Sequence, residues 1–322
     1  MAYEVAEIGS FHIGGREVEL DGLPVREIRW SASMAPTVID PNGEFHVEQM
    51  YVQYVRLSKP KARFPLLMWH GGGHTGTIWE TKPDGGLGWQ QFFLEAGHDV
   101  YVSDAVERGR ASWARYPEVF KSEPLFRSKR EGWELFRMGP PGSYHRDPGC
   151  RATNPGQQFP IESYDRFAMQ CVPRWLDNDA ATQAAYATLL GKVGPGVLIV
   201  HSQGGNFGLH AAIAQPHLVR AVIALEPSGA PEPADARLAG LKHVPHLFLW
   251  GDYLESPIWR GNIMRAPARY HEALAAQGTD STWLELPTIG ITGNTHMLMM
   301  DRNSDQLARL VQNWMTERGL MR

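Results

Sequence analysis

Residues 198–208, Leu-Ile-Val-His-Ser-Gln-Gly-Gly-Asn-Phe-Gly, constrain this chain of 322 residues more than any other stretch. A continuous apolar run reads as a strand buried on both faces. It passes without a spacer through Ser202 into the small residues of a helix start. A helix that begins this abruptly must turn back over the sheet, so the segment specifies a sharp strand–turn–helix step and a parallel arrangement.

The same rhythm recurs along the chain. Residues 64–69 form a short apolar run, followed by a helical segment at 89–96 and a strand at 99–103. Later come a helix at 205–214, strands at 219–225 and 246–250, a helix at 266–276 and a last strand at 283–286. The final helix carries Leu307, Leu310, Val311 and Trp314, the stripe of an amphipathic helix lying on a sheet. Ahead of this series, residues 11–20 and 44–57 read as antiparallel strands. The fold class expected is α/β, with a doubly wound, mostly parallel sheet and helices on both faces. From residue 109 to 173 the alternation stops, and Arg, Pro, Gly and aromatic residues dominate. A structureless loop of that length is improbable in a compact domain. Residues 109–173 are therefore read as an inserted cap, and 1–108 with 174–322 as the core.

The formal net charge of −4 gives no electrostatic reason to expect nucleic acid or an anionic membrane as partner. No run approaches the roughly 20 apolar residues that span a bilayer. The first residues lack the basic and apolar regions of a signal peptide, which leaves the compartment open between cytoplasmic and exported after signal removal. Cys150 and Cys171 lie in one irregular segment, as two thiols or one disulfide, and their spacing matches no metal site.

The chemistry centres on Ser202. A serine on such a turn projects its oxygen above the sheet, with the positive end of a helix behind it. The residue two positions earlier, usually small in this motif, is Val200. A second glycine cluster, Trp69-His70-Gly71-Gly72-Gly73-His74, follows the first parallel strand. Its N–H groups and that of the residue after the serine are the usual donors to a developing oxyanion, which assigns Gly72 and Gln203. The glycines lack the Lys-Ser/Thr of a phosphate-binding loop.

A serine hydroxyl needs a base, and the base needs a carboxylate; with a serine on a strand–turn–helix step these follow in the order Ser, acid, His along the chain. Of the histidines after Ser202, only His296 falls in a loop after the last strand, at the edge the serine occupies. His70, His74 and His201 are expected to shape the site, with His74 against the pocket. Three acids follow strands ahead of His296: Glu226, Asp252 and Glu255. The common acid position, three residues beyond Gly251, holds Leu254. Glu226, ending its strand in Ala-Leu-Glu-Pro-Ser-Gly, is the acid assigned here. A carboxylate at a buried strand end requires a partner.

With His70, the His201-Ser202-Gln203 turn, Glu226 and His296 in place, the chain resembles α/β-hydrolase carboxylesterases. It is most similar to a bacterial subfamily whose Ser-His-Glu triad takes its Glu after the sixth strand. Residues 136–140, 155–160 and 173–175 of the cap share the likeness. The resemblance implies ester hydrolysis on a small-molecule ester, no metal or organic cofactor, and a possible homodimer. A lactonase or an acyltransferase would use the same machinery, and a non-catalytic binding protein on this fold is the reading from another class. A dehalogenase or epoxide hydrolase is disfavoured because its nucleophile is Asp. The cap aromatics Trp113, Phe126, Trp133, Phe136 and Phe159 are read either as cap core or as an apolar pocket. Trp113 and Phe159 are assigned with His74 to substrate binding.

Overall fold

The computed structural model describes residues 3–113 and 115–322. Ten strands run β1 (Val5–Leu20), β2 (Arg26–Ile28), β3 (Thr37–Ile39), β4 (Gly43–Leu57), β5 (Leu66–Trp69), β6 (Val100–Asp104), β7 (Gly196–His201), β8 (Val219–Leu225), β9 (His246–Trp250) and β10 (Ser281–Glu285). The helices are α1 (Thr77–Glu80), α2 (Trp89–Ala96), α3 (Lys129–Leu135), α4 (Tyr164–Ala168), α5 (Asp179–Val193), α6 (Gln203–Ala214), α7 (Arg265–Ala276) and α8 (Ser304–Glu317).

Eight strands form one sheet in the order β1-β4-β6-β5-β7-β8-β9-β10. β1 and β4 are antiparallel, as is the β4–β6 pair, and every pairing from β6 to β10 is parallel. The chain thus leaves β5 toward β6 on one side and returns to β7 on the other. This reversal opens a crevice at the carboxyl ends of β5 and β7, where ligands of open α/β sheets bind.

The alternation of side chains along each strand supplies two cores. Leu66, Met68, Ile199 and Ile223 face one layer with Trp79, Trp89, Phe93 and the apolar stripe of α8. Leu67, Trp69, Leu198, Val200 and Phe248 face the other, against α5, α6 and α7. Fully burying each such side chain contributes roughly 1.5–3 kcal/mol.

Several elements differ from expectation. Helix α5 was not foreseen; its buried stripe is Thr182, Ala185, Tyr186, Leu189 and Leu190, and two of these five are too small or polar to register as hydrophobic. The β2–β3 hairpin lies between the two long antiparallel strands. The last strand runs Ser281–Glu285 rather than 283–286, and β1 begins at Val5 rather than at 11. Residues 109–173 hold α3, α4 and short 3-10 turns, and among the described residues they add no strand to the central sheet. Their aromatics Trp133, Phe136, Phe159, Tyr164 and Phe167 merge into the first core layer rather than forming one of their own.

Candidate active site

Strand β7 delivers Ser202 at the carboxyl edge, and α6 begins on the next residue. Ser202 has φ 53° and ψ −115°, a left-handed backbone that a non-glycine residue adopts only when its surroundings enforce it. Its N–H donates to the Leu225 carbonyl at 3.0 Å, and its carbonyl accepts from Gly205 and Ser228 at 2.9 and 3.0 Å. Val200 is accommodated from the opposite side. A Cβ on Gly208 of α6 would stand 2.9 Å from Val200 Cγ1, so the bulk this turn normally lacks in the strand is offset by its absence in the helix. The Ser202 hydroxyl makes no hydrogen bond among the described residues; such bonds commonly tighten only around a reacting substrate.

The three consecutive glycines after β5 are explained by what lies against them. A Cβ on Gly71 would stand 3.0 Å from Ser202 Cβ and 2.8 Å from His201 Nδ1. On Gly72 it would meet Arg174 Nη1 at 3.0 Å and Gln203 Oε1 at 3.1 Å. On Gly73 the nearest side chain is Arg127, 3.8 Å away. The loop therefore presses its backbone against the serine. Gln203, the first residue of α6, has a backbone N–H with no partner inside the helix.

Three buried histidines hold this edge. His70 Nδ1 bonds the Gly71 carbonyl at 2.8 Å, and its Nε2 accepts the Ala105 N–H at 3.0 Å. Burial lowers its pKa to about 4, so it is neutral, as this bonding pattern requires. His201 Nε2 bonds the His296 carbonyl at 2.9 Å, with its pKa well below the ordinary value through burial and the nearby His296. His74 is driven down to about 3 by burial, and its ring stacks on Phe167 at 5.2 Å.

Glu226 directly follows β8, has φ 45° and is fully buried. Its Oε2 lies 2.6 Å from His296 Nδ1. Arg137 Nη1 donates to the same oxygen at 2.9 Å and Nη2 to Oε1 at 2.5 Å, while Gly251 N–H donates to Oε1 at 2.7 Å. Burial alone would raise the Glu226 pKa; the Arg137 charge and the hydrogen bonds outweigh it and hold the carboxyl at about 2. Arg137 is itself buried, with φ 61°, and its guanidinium lies 4.1 Å from the Trp259 ring centroid. Burial lowers the His296 pKa, the Glu226 contact opposes this, and the Arg137 charge adds to the lowering. The His296 ring stacks on Phe136 at 5.4 Å and sits 4.8 Å from Trp259 and 4.4 Å from His201. Its loop is anchored by buried Asp301, which accepts from Asn294 Nδ2, Thr295 N–H and Thr295 Oγ1 at 2.8–2.9 Å.

Ser202, Gln203, Gly72, His74, Glu226 and His296 thus lie together at one sheet edge. The other residues assigned from sequence do not. Trp113 is 54% exposed and its ring meets Trp175, in a separate cluster with Phe120 and Val47; its apolar surface packs that outer patch rather than the rings around His296. Phe159 is fully buried behind Phe167 at 5.4 Å, one layer removed from His74, as part of the first core layer. Asp252 accepts from its neighbour Tyr253 and from Gly293, as a turn residue does. Glu255 is 84% exposed and pairs with Arg260. Both cysteines are free thiols, Cys150 exposed and Cys171 3.7 Å from His74 Nε2. Among the described residues no His/Cys/Asp/Glu group could hold a metal ion, and no helix is long and apolar enough to cross a membrane. Arg137 was not singled out from sequence, although the stretch 136–140 was. Its one available signal was the requirement that a buried glutamate have a partner.

No family model matches the chain. It is similar to a bacterial esterase of known structure, with a TM-score of 0.83 and 30% identity, covering 99% of this chain and 98% of that one. Among curated proteins it is 26% identical to a probable secreted lipase, phiG, of a fungal species, covering 84% of this chain and 87% of the lipase.

Proposed function

The chain belongs to the α/β-hydrolase carboxylesterases, and from that premise we propose that it cleaves small-molecule carboxylic esters through an acyl-enzyme on Ser202. Ser202 Oγ attacks the ester carbonyl while His296 takes its proton. The imidazolium so formed is stabilised by Glu226 at Nδ1. The oxyanion settles between the backbone N–H groups of Gly72 and Gln203, where one such donor is typically worth about 10²- to 10³-fold in rate. His296 returns the proton to the departing alcohol. Water then repeats the attack with His296 as base, releasing the acid and free Ser202.

The observation that carries this reading is the 2.6 Å contact between His296 Nδ1 and a Glu226 carboxylate kept charged by Arg137, beside a serine in a left-handed turn. A buried, uncharged imidazole is ready to act as base at neutral pH. The rings of Phe136, Phe167, His74 and Trp259 supply an apolar wall, and residues 109–173 act as the cap that excludes water, since they contribute both Phe136 and Arg137.

Ser202→Ala tests it. Turnover of a p-nitrophenyl ester is expected to fall about 10⁴-fold or more with the melting temperature retained. Retention of more than a tenth of the activity overturns the assignment.

A further inference from the structure

The charge distribution around the glycine loop bears on which esters the site prefers, a question that rests on the esterase reading. Gly71 abuts the serine, Gly72 abuts Arg174, and Gly73 faces Arg127. Two guanidinium groups therefore flank the loop assigned to the oxyanion, at the two residues that follow the glycine lying against the nucleophile. Neither has a buried carboxylate in contact with it among the described residues. Arg174 forms no ion pair among the described residues, and its buried Nε has no hydrogen-bond partner. Arg127 pairs only with Glu131, which is 45% exposed, and its own buried Nε is also without a partner.

A third arginine, Arg108, is 2% exposed and likewise has an unpartnered Nε. Burial and the Arg174 charge lower its pKa to about 10. The carboxylate whose charge opposes that of Arg174 is Asp179, and its Oδ1 is engaged by Gln203 Nε2 at 3.2 Å. Arg127 and Cys171 also border a cavity of about 290 Å³ whose walls carry Lys129 and Arg166 against one carboxylate, Asp165. Guanidinium N–H groups withdrawn from water without an acceptor are costly to maintain, and the chemistry that would satisfy them is an anion brought by a ligand.

We propose that Arg174, assisted by Arg127, binds a carboxylate on the substrate, so that the preferred esters carry a free carboxylate near the scissile carbonyl, as hemiesters of short dicarboxylic acids do. A planar carboxylate matches the guanidinium fork in two parallel hydrogen bonds. The apolar rings around His296, among them Phe136 with the Arg127 guanidinium 5.3 Å from its centroid, receive the uncharged part of the ester. Arg174 in this role is a specificity residue and takes no part in bond making.

The test compares kcat/KM for monomethyl and dimethyl glutarate, at low salt and pH 7.5, in wild type, Arg174→Gln and Arg260→Gln. The proposal expects wild type to prefer the hemiester, Arg174→Gln to lower the hemiester-to-diester ratio about 10- to 100-fold, and Arg260→Gln, on the outer surface, to keep it. A wild-type ratio at or below one, or an equal loss on both substrates in Arg174→Gln, overturns it; the second result assigns the charge to the oxyanion instead. Glutarate as a competitive inhibitor of wild type, with glutaramide inactive, supports the site independently of whether Arg174→Gln folds. Equal inhibition by both overturns it. If wild type cleaves neither ester and takes up no fluorophosphonate, the esterase reading itself fails and the proposal falls with it. Labelling without hemiester preference sinks the carboxylate site alone.

Discussion

The serine side and the acid side of the candidate site are built on different principles. Ser202, Gly72 and Gln203 come from two contiguous stretches, and their arrangement rests on backbone hydrogen bonds and on missing Cβ atoms. Glu226, Arg137 and the loop of His296 and Asp301 come from separated segments and are held by a buried ion pair and buried hydrogen bonds. One side is steric and local. The other is electrostatic, and it closes only when the cap and the last loop are in place. The backbone marks the junction: of the six non-glycine residues described with left-handed φ, Ser202, Glu226 and Arg137 belong to this site.

The two sides can be separated by mutation. On the acid side, Glu226→Gln keeps the shape and removes the charge, so kcat/KM should fall about 10³- to 10⁴-fold on an activated ester. A loss under tenfold would detach Glu226 from the chemistry.

Arg137→Met breaks the buried pair and should cost about 3–5 kcal/mol in urea unfolding, since Glu226 would keep its charge without its strongest partner. The pH profile should move as well. His296 acts only when neutral, so activity is present above its pKa and is lost as pH falls through it. Arg137 helps to lower that pKa, and removing it raises the value. The acidic limb of kcat/KM should therefore shift to higher pH. An unmoved limb would make Arg137 merely structural.

On the serine side the test is steric. Gly208→Ala places a methyl 2.9 Å from Val200 Cγ1 and should cost about 1–3 kcal/mol. Adding Val200→Ala should recover most of that loss. Additive losses in the double variant would show that the two positions do not compensate one another. The smallest effect is expected for Glu255→Gln, within about 0.5 kcal/mol in stability and less than about tenfold in activity, because its partner Arg260 keeps Glu285.

The contrast also explains what could be read from the chain. Strands 219–225 and 246–250, the glycine loop and the turn at Ser202 were legible because each is written in consecutive residues. Helix α5 was obscured because Thr182 and Ala185 occupy buried positions that an apolar stripe would fill with larger residues. Arg137 was obscured for another reason: it lies 89 residues from Glu226, and nothing local distinguishes a cap arginine that reaches a buried carboxylate from one that faces water. Trp113 was misplaced because an aromatic residue in a cap serves equally well on an outer cluster. The arginines around the glycine loop were invisible for the same reason as Arg137, since their convergence exists only in three dimensions.

The most direct test of the central claim is to treat the protein with a fluorophosphonate and locate the adduct by intact mass and peptide mapping. The account predicts a single adduct on Ser202, formed quickly in wild type, much more slowly in Glu226→Gln and not at all in Ser202→Ala. An unlabelled wild-type protein, or a label on any other residue, would contradict it.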